Sequence, residues 1–71
     1  MAVEYARQVH LCNGLIDAIC RKVGRNRDTF VVQFCGWWQR ERKVDEFVSI
    51  RLGLEFCKEL VEDGLPLPWE L

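Results

Sequence analysis

Close-set cysteine pairs are missing from this chain. Its four cysteines, Cys12, Cys20, Cys35 and Cys57, are separated by 8, 15 and 22 residues, and His10 is its one histidine. Zinc ribbons and fingers need two ligands delivered by one short turn, so this spacing offers no metal site and no cofactor is expected. Long apolar runs are missing as well: none approaches the ~18–20 residues that span a bilayer. The first residues, Met1-Ala-Val-Glu, have neither the basic nor the apolar region of a secretion leader, so a cytoplasmic setting is expected. The five glycines stand singly, at 14, 24, 36, 53 and 64, which leaves no glycine-rich phosphate loop. Proline is confined to Pro66 and Pro68, and the net charge is only −1. A disordered tail would pair low hydrophobicity with high net charge, and this chain has neither.

What is present describes a small folding unit. The 71 residues are 49% hydrophobic, 11% aromatic and 30% charged, enough for a single domain over 1–71. A domain of this size buries only about 60% of its unfolded surface, which leaves a margin of a few kcal/mol and invites a disulfide, a metal or a partner chain. Without a secretion leader the four cysteines read as reduced, mostly buried thiols. A partner chain is then the remaining support, and a homodimer is the expected form.

Residues 3–12 alternate, with Val3, Tyr5, Val9 and Leu11 on one side, which points to a strand; Ala6 and Gln8 keep a helix open there. Asn13 suits a helix N-cap, and Leu15, Ile16, Ile19, Cys20 and Val23 form one helical face ending near Gly24. Thr29–Trp38 is rich in aromatic and β-branched residues, Val44–Leu52 alternates, and the charged stretch Gln39–Lys43 between them can turn; together they read as an antiparallel hairpin. Pairing Trp38 with Val44 brings Phe34 opposite Val48, Val32 opposite Ile50 and Phe30 opposite Leu52 on one face. Leu54–Asp63 follows as a helix with Phe56, Cys57, Leu60 and Val61 on one side, stopped at Gly64, and residues 65–71 form an extended tail. The expected fold class is therefore α+β: a small two-layer domain, β-α-β-β-α (or α-β-β-α), with two helices on one face of a hairpin.

Three chemistries compete on this framework. The outer hairpin face would carry Val31, Cys35, Trp37 and Phe47, with Arg40 and Arg42 at its rim, an aromatic patch with the composition of a protein interface. Nucleic acid is the alternative, with Arg21, Lys22, Arg25 and Arg27 on phosphates and Trp38, with its neighbour Trp37, stacking bases. Residues 1–43 hold eight Lys/Arg against four acids, and residues 44–71 hold two against seven. The overall acidity, with a pI near 5.7, argues against that alternative. In a strand His10 and Cys12 would share a face, as a thiol–imidazole pair requires, but no third orienting group is evident, so no enzyme is expected. The expected function is a small protein-binding regulatory or inhibitory module that self-associates through the aromatic hairpin face.

Overall fold

A computed structural model describes residues 2–41 and 47–71, and their secondary structure is helical. Helix α1 spans Ala2–Val23, α2 spans Arg27–Glu41, α3 spans Phe47–Glu62, and a single 3-10 turn covers Pro68–Glu70. No strand occurs among the described residues, which overturns the α+β expectation and its hairpin. Residues 3–12 are the first half of α1, Thr29–Trp38 is the body of α2, and the described part of the second expected strand, from Phe47 on, opens α3. The turn expected over Gln39–Lys43 is helix as far as Glu41, and the pairing of Trp38 with Val44 falls outside the described residues.

Burial shows why helix wins. In α1 the inward positions are Gln8, Cys12, Leu15, Ile16, Ile19 and Cys20, a helical stripe that runs straight through Asn13 and Gly14. In α2 the buried residues are Phe30, Phe34, Trp37 and Trp38, at i, i+4, i+7 and i+8. A pleated strand would have buried Val32, which is 73% exposed. In α3, Ile50, Leu54, Cys57 and Val61 follow at i, i+4, i+7 and i+11, again one helical face.

The helix ends are chemically explicit. Asn26 caps α2: its Oδ1 accepts the backbone N–H groups of Asp28 and Thr29, at 2.8 and 3.2 Å. After α1 the N–H of Arg25 returns to the carbonyl of Cys20 over Gly24 (φ +69°), the left-handed residue that this closure needs. After α3 the N–H groups of Gly64 (φ +74°) and Leu65 return to the carbonyls of Val61 and Leu60.

Helices α1 and α3 make the most extensive contact. The Nε of Arg51 donates to Oε1 of Gln8, Cys12 feels Arg51 and Glu55, and Leu15 shares a depression with Glu55, Lys58, Glu59 and Glu62. Partners ascend together along both helices, so α1 and α3 run parallel. Gln8 is the one buried polar side chain among the described residues, and it is satisfied from both sides, since its Nε2 also donates to Glu4. Helix α2 stands further off, and its rings span the gap. Phe34 stacks with Phe30 at 6.1 Å and with Trp38 at 5.9 Å. Ring pairs in this range contribute about 0.5–1.5 kcal/mol each beyond the area that they bury.

One backbone position on α3 receives those rings. A Cβ on Gly53 would lie 2.7 and 2.9 Å from Cζ3 and Cε3 of Trp38 and 3.2 Å from Cζ of Phe34. Trp38 is buried and cannot yield. Gly53→Ala is therefore expected to lower stability by about 1–3 kcal/mol despite alanine's better helix propensity. Gly14, also helical but with nothing within 4 Å of its would-be Cβ, provides the control. There Gly14→Ala is expected to raise stability by about 0.5–1 kcal/mol. Urea and thermal melts of the two variants check both signs, and a Gly53→Ala chain as stable as the parent would contradict the packing described.

Candidate functional site

The aromatic layer of α2 does not end at the bundle. The chain beyond Gly64 folds back onto it, burying Leu67 almost completely and seating Trp69 among Phe30, Phe34 and Trp37 at centroid distances of 5.5, 6.3 and 6.0 Å. The indole Nε1 of Trp69 donates to Oε1 of Gln33 at 3.2 Å. Glu70 serves two partners, accepting Arg25 Nη2 on Oε2 at 2.6 Å and the backbone N–H of Leu67 on Oε1 at 3.0 Å. The Arg25 hydrogen bond first, and the Leu67 N–H second, hold the Glu70 carboxyl below the usual carboxylate range.

This arrangement redistributes the residues that sequence reasoning grouped together. Trp37 is buried, stacked on Phe56 at 6.4 Å and tilted against Trp38 and Trp69. Val31 and Cys35, one helical turn apart, face away from it and line a cavity of about 90 Å³ with Ile16, Phe34, Trp38, Ile50 and Leu54. Arg40 is exposed in the last turn of α2 and Phe47 is the first residue of α3, whereas Arg42 lies outside the described residues. Val31, Cys35 and Trp37 therefore do not share one face, because consecutive helical residues rotate by about 100°. The same rotation separates His10, which is exposed, from Cys12, which is buried, and dissolves the thiol–imidazole pair.

The basic residues do converge, and the fold has already engaged two of them. Arg21, Arg25 and Arg27 border one open depression with Asp17. Arg27, however, pairs with Asp17 and donates to Oδ1 of Asn13 at 2.6 Å, and Arg25 is held by Glu70 and Gln33. Arg21 and Lys22 remain exposed. Trp38, which base stacking would need, is 6% exposed. Because α1 and α3 are parallel, the basic end of α1 also lies at the same end of the bundle as Glu59, Glu62 and Asp63.

The surface missed by sequence reasoning is on α3. Val48, Leu52 and Phe56 are 48%, 56% and 47% exposed and follow one another at i, i+4 and i+8, with Leu60 continuing the row half-buried. The spacing was visible, but alternation assigned Val48 and Leu52 to the hairpin core. Phe56, stacked on Trp37, joins this stripe to the tail-bearing face. No described helix is long and apolar enough to cross a membrane, and no group of three or more His, Cys, Asp or Glu among the described residues could hold a metal ion.

The cysteines sort by burial. Burial pushes the Cys57 thiol up to about 12. Cys12 and Cys20 are also raised by burial, against the opposing pull of Arg51 on the first and of Arg27 on the second. Cys35 alone is exposed. Under native conditions at mildly alkaline pH, iodoacetamide is expected to modify Cys35 first and Cys57 last, because thiolate character and access set the rate. Peptide mass mapping over time checks the order. A second expectation concerns Glu70, whose folded-state carboxyl ionises more readily than in the unfolded chain. Its ionised form therefore stabilises the fold above the usual carboxylate range, and that contribution is lost as pH falls through the lowered value. Glu70→Gln should accordingly lower the melting temperature at neutral pH and converge on the parent in acid, and a pH series of melts tests the convergence.

Comparison with family models, with curated proteins and with solved structures finds no match.

Proposed function

We propose that this protein is a small non-catalytic binding module that self-associates through the exposed face of α3 and acts by occupying a surface of a larger protein. The observation that carries this reading is the stripe Val48, Leu52 and Phe56 on a helix whose opposite side is already committed to the core. Contiguous apolar surface on a small domain marks a contact more often than a bare exterior. Its i, i+4, i+8 spacing is the form in which one helix lies against another. Two-fold dimers are the commonest closed assemblies, and a helix face pairing with itself satisfies that symmetry. Such a dimer also adds apolar burial to a core that size keeps small. Four cysteines kept as thiols suit a reducing, cytoplasmic setting.

Sedimentation and light scattering across a concentration series test the reading. The parent chain is expected to dimerise, and Val48→Glu or Leu52→Glu to be monomeric with an unchanged helical spectrum, since both positions are exposed. A chain that stays monomeric at every concentration would remove the self-association.

A further inference from the structure

A void lies where the three helices meet. Ile16 of α1 and Ile50 and Leu54 of α3 line it together with Phe30, Phe34 and Trp38 of α2, around a volume of about 90 Å³. Phe30, Phe34, Trp38 and Leu54 are buried, whereas Cys35 and Gln39, which also line it, are exposed. The space therefore opens to solvent beside Cys35 and Gln39 and closes on an apolar floor. Among the described residues no charged side chain lines it. Water suits such a space poorly. A single water needs only ~10–15 Å³ but also two to four polar partners. Ile16, Phe30, Phe34, Ile50 and Leu54 present hydrocarbon, and their backbone groups belong to helices, so polar partners exist only at the mouth. Close-packed interiors leave few voids larger than a water, and an unfilled one forfeits the contacts of its lining atoms.

We infer that this void is a binding site for a small neutral molecule built on one aromatic ring, its polar substituent at the mouth beside Cys35 and Gln39. The wall selects the ring. Phe34 lies within 20° of parallel to Phe30 and within 10° of parallel to Trp38, so three rings stand in one row along α2. Aromatic rings attract one another in offset or edge-on contact beyond the area that they bury. Volume sets the size. An apolar cavity of about 150 Å³ encloses benzene completely. At about 90 Å³ with an open mouth, this one takes a single ring with one edge toward solvent. The wall also rejects ions, because it offers no opposite charge to one that leaves water. None of Val48, Leu52 and Phe56 lines the void, so the site is independent of self-association through α3.

Phenol is the probe, since it is neutral at pH 7 and carries one ring and one hydroxyl. Titrated into isotope-labelled full-length chain, it is expected to shift the methyl signals of Ile16, Ile50 and Leu54 along one saturable curve. Its ring protons are expected to give NOEs to the same methyls. Cyclohexanol, of similar size without the aromatic ring, is expected to bind about two- to tenfold more weakly. Cys35→Phe places a ring at the mouth from an exposed position and is expected to abolish saturation. Shifts that rise linearly to the limit of solubility, or that centre on Val48 and Leu52, overturn the site. Absence of the NOEs at saturation overturns it without recourse to any variant. Equal binding of cyclohexanol overturns the aromatic assignment, and a folded Cys35→Phe chain that binds phenol like the parent overturns the placement. Each of these outcomes leaves self-association through α3 untouched.

Discussion

The contact between Trp38 and the backbone of Gly53 sets the geometry on which the other parts depend. A tryptophan ring pressed against a bare helix backbone fixes how near α2 can come to α3. The remaining rings of α2 then fill the space that this separation leaves. Phe34 lies at the centre of the layer, stacked on Phe30 and Trp38 and tilted against Trp37. The tail takes its seat on the same layer, with Trp69 against Phe30, Phe34 and Trp37. A core built from one aromatic helix is an economical solution for a short chain, since each ring buries far more area than an aliphatic side chain.

The same aromatic helix explains what could and could not be read in advance. Phe30, Phe34 and Trp38 are spaced by four, and four is commensurate with both a strand period of two and a helical turn. These three side chains therefore support either assignment equally. Trp37 and Val32 discriminate, because a strand would put Trp37 opposite the others and Val32 beside them, and burial shows the reverse. That discrimination depends on tertiary packing, which outweighs the β-preference of a Thr-Phe-Val-Val run. Alternation in residues 3–12 misled in the same way, since the helical stripe through Gln8 and Cys12 includes a polar member whose partner, Arg51, is 43 residues away. Features with a purely local cause were legible: the helix stops at Gly24 and Gly64, the inward faces around Ile19, Cys20, Cys57 and Val61, and the burial of most cysteines. The Asn26 cap is equally local, since its side-chain oxygen accepts amides only two and three residues further on.

The candidate site moved for a related reason. Tryptophan beside arginine suggests a contact surface, but in a chain this short the large rings are needed inside. Trp37 and Trp38 are consumed by the core, and exposure shifts to Val48, Leu52 and Phe56 on α3. A limited supply of apolar area is thus divided between the interior and the exposed stripe on α3.

The parallel course of α1 and α3 decides where the opposite charges of the chain meet. Along the chain, positive charge collects early and negative charge late, which in an extended molecule would create a strong dipole. Folding brings the basic end of α1 to the acidic end of α3 and ties Arg25 to Glu70 across the join. At 2.6 Å that pair lies well inside the Debye length of physiological salt, about 8 Å, and its side chains are only partly exposed, so salt screens it weakly. The tie between the tail and the start of α2 is therefore expected to outlast the exposed charge pairs as salt is added.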